Sequence, residues 1–147
     1  MSSNQRIDAF QKIITHAVAY NLGVSSSIEI DRFGITKATH LAMNRAINGL
    51  NSKPNFLLID GYPLPTSSIP QKHLIHGDSL SLSIAAASIV AKVTRDQIMQ
   101  NIDIEYSLYD FKSHKGYGTK KHIQALSLHG ASTIHRLSYK RVLPFNI

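Results

Sequence analysis

Two carboxylates each follow a short apolar run. Asp60 closes Phe56-Leu-Leu-Ile-Asp60, and Asp78 comes just after His73-Leu-Ile-His76 and Gly77. Neighbouring strands lie roughly 5 Å apart, so acids at the exits of two adjacent strands can share a metal ion. Hard divalent ions such as Mg²⁺ take oxygen ligands and keep several waters. Two such ions can clamp the attacking water and the leaving oxygen of a phosphodiester. Metal-assisted phosphodiester hydrolysis is therefore the chemistry this pair suits. A structural reading fits the same residues: Asp60 begins a turn before Gly61, and Asp78 caps the helix that follows. The residues by themselves leave both readings open.

A second group has the character of a polyanion contact. Tyr117 stands in His-Lys-Gly-Tyr-Gly-Thr, where flanking glycines leave its ring uncovered and let a backbone approach. An aromatic face can stack on a sugar or base. Lys112, Lys115, Lys120 and Lys121 surround it and suit phosphate contact. The alternative is an ordinary Gly-Tyr-Gly turn beside solvated lysines. Ser88, Lys92 and Arg95, on the smooth helix after Asp78, are further candidates for substrate contact. Asp96 is read as structural. It neighbours Arg95, and adjacent residues do not share a helix face, so separate partners are expected. Asp103, Glu105 and Asp110 read as solvated acids, and Asp8, Glu29 and Asp31 as surface or capping residues.

These side chains need elements to position them. Ser2 or Ser3 can cap a helix carrying Ile7, Phe10, Ile14, Ala17 and Val18 on one face, stopped by Gly23. Val24 to Ile28 reads as a short strand, and Glu29 to Phe33 as a helical turn ended by Gly34. Thr36 caps a helix through Ala38, Leu41, Ala42, Arg45 and Ala46, ending near Gly49, with a turn at residues 51–54. Phe56 to Asp60 and His73 to His76 read as buried strands, separated by a loop with three prolines between Gly61 and Pro70. A long helix runs from Ser81 to Tyr106, rich in Ala, so that another backbone can approach it closely. Asp110 to Tyr117 is a basic loop. Thr119 caps a last helix with Ile123, Leu126 and Leu128, closed by Gly130, and a basic, then apolar tail runs from Ile134 to Ile147. Helices alternating with strands argue for an α/β class.

Composition narrows the function further. The 147 residues suffice for one domain with a core and are too few for two ordinary ones. Sixteen Lys and Arg against nine Asp and Glu give a formal charge of +7, which favours a polyanionic partner such as nucleic acid. Cys is absent, which excludes disulfides and thiolate metal sites. No apolar run approaches the roughly 20 residues of a membrane span, and the first residues have no apolar signal core. The expectation is a cytoplasmic protein with no membrane partner.

Four motifs in order, LLIDG at 57–61, GDSLSLSIAAASIVAKVTRD at 77–96, HKGYGTKKH at 114–122 and IHRLSY at 134–139, resemble ribonuclease HII. The likeness runs from about Gln5 to Val142. It implies a ribonuclease H-like α/β fold in one catalytic domain, 1–147, and an endonuclease acting on the RNA strand of RNA–DNA hybrids or on ribonucleotides embedded in duplex DNA. It also implies Mn²⁺ or Mg²⁺ as cofactor, a role in replication and removal of misinserted ribonucleotides, and a monomer. By position, Asp60 and Asp78 match two of the family's four catalytic, metal-binding carboxylates. Tyr117 matches the tyrosine that packs on the deoxyribose after the ribonucleotide, and Lys115, Lys92 and Ser88 join it as substrate-binding candidates. His135 and Arg136 belong to a family tail motif and are read as capping or bracing residues. His76 stands where the family usually has Lys.

The family pattern also opens with an Asp-Glu-x-Gly-Arg-Gly strand, further strands and an Asp-Ser-Lys motif. Those N-terminal strands carry the first two catalytic carboxylates, and no Asp-Glu pair occurs here. The expectation is an N-terminally truncated member, lacking a central strand, with an exposed sheet edge. Such a chain is expected to be poorly stable and close to inactive alone. The alternatives are a non-catalytic nucleic-acid-binding module, an inactive gene fragment, or half of an enzyme completed by a separate chain.

Overall fold

The computed structural model describes residues 1–145; Asn146 and Ile147, the end of the expected apolar tail, lie outside the described residues. Among the described residues, six α-helices, two strands and two 3₁₀ turns follow one another. They form two compact units, each assembled from two chain segments. The first holds residues 1–24 and 39–93, the second residues 25–38 and 94–147.

In the first unit, α1 (Ser3–His16) begins with a capping box in which Ser2 and Gln5 exchange hydrogen bonds. It stops at Ala17, earlier than its apolar spacing predicts, and Val18 is 96% exposed rather than part of the helix face. The end of α2 (Ser27–Asn48) packs beside Gly23, where any Cβ would overlap the Ala42 carbonyl. The Asn21 amide caps that end by donating to the Arg45 and Ala46 carbonyls.

Strand β1 (Leu57–Asp60) pairs in parallel with β2 (Gln71–Leu74), so that Asp60 stands opposite Leu74. The second strand begins and ends two residues earlier than expected, because His76 enters the left-handed region (φ 56°) and turns the chain out of the sheet. The proline-rich connection is pinned by Gln71, whose amide both accepts from the Leu64 N–H and donates to its carbonyl. That two-way bond leaves Leu64 fully buried. A one-turn helix, α3 (Gly77–Leu80), precedes α4 (Leu82–Glu105). Ile59, Leu64, Ile84, Val90 and Val93 are the buried apolar residues here.

In the second unit, the expected strand at Val24–Ile28 is absent. Ser26 instead caps α2 with Glu29 through reciprocal bonds, and the local capping box outcompetes a strand that has no partner. Gly34, at φ 78°, kinks α2 where the sequence places a helix stop. Asp31 accepts from the Leu137 and Ser138 N–H groups and from the Ser138 hydroxyl. Burial pushes its carboxyl upward, but these bonds and the Arg136 charge outweigh it and hold it below the ordinary value.

The core of this unit is Tyr109, Phe111, Leu126 and Val142, flanked by Met99, Ile102 and Ile123. The expected basic loop at 110–117 contributes to it. A 3₁₀ turn at Ser107–Tyr109 and the single turn α5 (Phe111–His114) bury Tyr109, Phe111 and His114. Helix α6 (Lys120–His129) is capped by Thr119 and closed by Gly130 as its sequence predicts. Leu126 faces the core, but Leu128, expected beside it, is 71% exposed because it lies on the opposite side of the turn.

Two acids depart from their expected surroundings. Asp103 is buried, accepts from the Lys112 N–H and ion-pairs with the Lys112 amine at 3.4 Å. Asp110 is half-buried and accepts from the Ser113 hydroxyl at 2.7 Å, the main cause holding its carboxyl below the ordinary value.

The Asp31 bonds join residues far apart in sequence. Asp31→Ala is expected to cost about 1–2 kcal/mol, a figure set by hydrogen bonds to a charged but only part-buried acceptor. The midpoint of urea unfolding measures it.

Candidate active site

The two acids singled out from the sequence emerge at one edge. Parallel pairing puts the ends of β1 and β2 side by side, with Asp60 on the last residue of β1. Asp78 follows β2 after the left-handed turn at His76. The Gly77 N–H donates to the Asp60 Oδ1 at 2.8 Å, so the residue next to Asp78 is bonded to the Asp60 carboxylate. Gly77 is buried, and a Cβ there would meet Ile84 Cδ1 at 2.7 Å, Leu74 Cβ at 3.2 Å and Asp60 Oδ1 at 3.3 Å. Close approach of this backbone therefore depends on the missing side chain.

Asp78 sits inside α3, and His76 occupies the N-cap position, which corrects the structural reading of Asp78 as a cap. Both carboxylates are exposed. Among the described residues, no three His, Asp or Glu side chains group into a metal site. Asp60 and Asp78 are exposed oxygen donors, the kind of ligand a hard, largely hydrated divalent ion takes one or two at a time while keeping its waters.

Ser88 and Lys92 lie one turn apart on α4, so they share a face. Ser88 is exposed and Lys92 is half-buried. Asp60, Asp78, Ser88 and Lys92 all belong to the first unit.

Tyr117 and Lys115 belong to the second unit. Tyr117 is 57% exposed, and one face of its ring carries the Arg95 guanidinium, 4.9 Å from the ring centre. The ring is thus partly covered, where the flanking glycines predict a bare one. Arg95 also donates to the Lys115 carbonyl at 2.8 Å and lies 3.9 Å from the Asp96 carboxylate. The adjacent pair therefore does come within ion-pair range, against expectation, while Arg95 also serves the Tyr117 segment.

The lysines have internal partners. The Lys115 amine donates to the Lys112 carbonyl, Lys112 pairs with Asp103, and Lys121 lies 3.9 Å from Asp110. Lys120 is exposed.

Sequence reasoning missed a cluster of three histidines beneath Tyr117. His114, His122 and His135 are buried. The rings of His114 and His122 stack at 4.4 Å, and the Nε2 atoms of His122 and His135 lie 3.0 Å apart. Burial, chiefly, pushes His122 below the ordinary imidazole value, with the His114 charge adding to it. Burial and the His122 charge push His135 down to about 4. His114 and His122 bound the HKGYGTKKH motif and His135 lies in the separate IHRLSY motif, read as a capping or bracing residue, but nothing in the spacing marks the three as a set.

Comparison with known proteins follows from this geometry. The chain is similar to the crystal structure of ribonuclease H2 from Pyrococcus horikoshii OT3, with a TM-score of 0.82 over 99% of this chain and 76% of that one, at 20% identity. The fold is therefore of the ribonuclease H-like α/β class. The ribonuclease HII family profile matches residues 1–142. Ribonuclease HII of Desulfitobacterium hafniense (strain DSM 10664 / DCB-2) is 49% identical over 142 residues, covering 97% of this chain and 55% of the relative. That of Clostridioides difficile (strain 630) is 48% identical over 139 residues, covering 95% and 54%. The chain belongs to the ribonuclease HII family. It spans about half the length of these curated relatives.

The histidines give a pH dependence with a definite sign. An unfolded histidine takes its proton near the ordinary value of 6.5, whereas folded His135 resists it until about 4. Between those values the unfolded chain binds more protons, so stability is full above about pH 6.5 and falls as pH drops toward 4. Urea midpoints across that window are expected to decline, and His135→Gln is expected to flatten the decline.

Proposed function

We propose that this chain carries part of the catalytic centre of an endonuclease that hydrolyses the RNA strand of RNA–DNA hybrids, including ribonucleotides embedded in duplex DNA. The observation that carries the reading is the placement of Asp60 and Asp78 at one strand edge, joined through the Gly77 N–H. Family membership supplies the reaction class. In this reading Asp60 and Asp78 hold Mn²⁺ or Mg²⁺, which when bound supplies an activated water and neutralises charge on the phosphodiester. The products carry 5′-phosphate and 3′-hydroxyl ends.

The chain's own residues then have distinct tasks. Gly77 fixes one Asp60 oxygen and leaves the other for a ligand. Tyr117 stacks on the sugar after the ribonucleotide, and Lys115, Lys92 and Ser88 contact the strand. The net charge of +7 attracts the hybrid in a salt-dependent manner. Action during replication and ribonucleotide removal, in the cytoplasm and as a monomer, belongs to the same proposal. Among the described residues, no helix is long and apolar enough to cross a membrane.

A non-catalytic binding role is the second reading. It is favoured by one observation, that no third acid or histidine joins Asp60 and Asp78 among the described residues.

Calorimetric titration with Mn²⁺ and cleavage of a labelled hybrid test the proposal together. Asp60→Asn and Asp78→Asn are each expected to weaken Mn²⁺ binding tenfold or more. Cleavage by these 147 residues alone is expected to be weak and to vanish in either variant. Tyr117→Ala is expected to weaken hybrid binding by about 1–3 kcal/mol, the value of one stacked aromatic contact. Unchanged Mn²⁺ affinity in both Asp variants would remove the chemical basis of the proposal. Salt-dependent binding of the hybrid with no cleavage, even with the remaining half of the family pattern added, favours the second reading.

A further inference from the structure

The segment that presents Tyr117 is short and conformationally demanding. Lys115 (φ 52°) and Gly116 (φ 77°) both occupy the left-handed region, and Gly118 follows the tyrosine. Such a glycine-rich segment samples many conformations unless it is tied down. Here each of its four residues is fastened by a side chain. Arg95 donates to the Lys115 carbonyl at 2.8 Å, and the Gly116 N–H donates to His114 Nδ1 at 3.2 Å. His122 Nδ1 bonds the Tyr117 carbonyl at 3.0 Å, and Arg141 donates to the Gly118 carbonyl at 3.0 Å.

The partners of each ring dictate where its proton sits. His122 Nδ1 faces a carbonyl, which only accepts, so Nδ1 carries the proton and Nε2 is bare. That bare Nε2 faces His135 Nε2, so the His135 proton is on Nε2. His135 Nδ1 must then accept, and it does, from the Ser132 N–H at 3.0 Å and the Ser132 hydroxyl at 2.7 Å. His114 is fixed independently, with Nε2 donating to the Tyr109 carbonyl at 2.7 Å and Nδ1 accepting from Gly116. Every ring nitrogen is satisfied with one proton per ring. A second proton on any of the three would set donor against donor.

We propose that His122 and His135 are positioning residues for Tyr117: a one-directional hydrogen-bond chain, Ser132 to His135 to His122 to the Tyr117 carbonyl, that sets where the tyrosine ring stands. This rests on the reading of Tyr117 as the sugar contact. The surroundings suit a neutral chain. Phe111 packs edge-on against His122 at 5.5 Å, and Tyr109 lies 4.9 Å from His135. Arg95 from α4 and Arg136, Tyr139 and Arg141 from the tail line the same cavity of about 180 Å³ as His122 and His135. His114 stacks on His122, and no carboxylate lines that cavity to favour added positive charge there.

The test begins with the unaltered chain. Ring ¹⁵N shifts are expected to show His122 protonated on Nδ1 and His114 and His135 on Nε2, each as a single tautomer at neutral pH. The opposite tautomer at His122, or a mixture, overturns the proposal. The second measurement uses the absence of Trp from the chain: Tyr117→Trp makes that position the only source of indole fluorescence. Adding His122→Ala is expected to raise acrylamide quenching at least twofold, and His122→Asn, whose amide donates from the Nδ1 position, to restore most of it.

In the Tyr117 background, His122→Ala is expected to weaken hybrid binding about tenfold and His122→Asn less than threefold. Equal quenching and equal affinity for all three overturn the proposal. Should His122→Ala not fold, His135→Phe gives the same decision, since it frees His122 Nε2 and is expected to mix the His122 tautomers. A chain with no affinity for the hybrid defeats the sugar-contact reading, while tautomers and quenching still decide the positioning role.

Discussion

The hydrogen bond from the Gly77 N–H to the Asp60 carboxylate organises the acidic edge. A carboxylate at a strand end is ordinarily mobile and solvated. Here one oxygen is held by backbone, and that backbone belongs to the residue before the second acid. Three local conditions make the bond. Parallel pairing ends both strands together, His76 takes a left-handed conformation that few side chains favour, and position 77 has no Cβ. Loss of any one would remove this bond.

The second unit solves a similar problem with neutral groups. A left-handed lysine at position 115 is costly, and the loop's carbonyls and N–H groups need partners. Imidazole is well suited, since one ring accepts on one side and donates on the other. Burial among Tyr109, Phe111 and the neighbouring rings then disfavours charge on His122 and His135. Rigid aromatic packing beneath the loop is what allows an exposed tyrosine above it to have a defined position.

Much of this was legible in the sequence where local chemistry decides. Phe56-Leu-Leu-Ile-Asp60 read as a strand carrying an acid, and Leu57–Asp60 is one, but the expected burial fails: in the two strands only Ile59 is buried, and Phe56 and Leu58 are exposed. Ser2, Thr119 and Gly130 marked helix ends through hydrogen bonds formed within a few residues. Gly34 marked the break in α2. The misses are non-local or competitive. Val24 to Ile28 has strand-like side chains only at its two ends, with three serines between, and a strand needs a neighbour where the Ser26–Glu29 box needs only itself. The second strand was displaced because its limits come from pairing with Leu57–Asp60, which admits polar Gln71 and leaves out His76. Asp103 looked solvated because its partner, Lys112, comes from a different element. The histidine chain was invisible because its members meet only after α5, α6 and the tail have packed together.

The way each unit is threaded has a consequence for synthesis. Neither unit is a continuous stretch of chain, and the segment 25–38 belongs with residues 94–147. Asp31 finds its partners 106 and 107 positions further on. During translation Asp31 waits for these partners until residues 137 and 138 have been made. Closing so long a loop carries an entropic cost before any contact repays it. Residues 137 and 138 therefore set the final place of a segment made more than a hundred residues earlier.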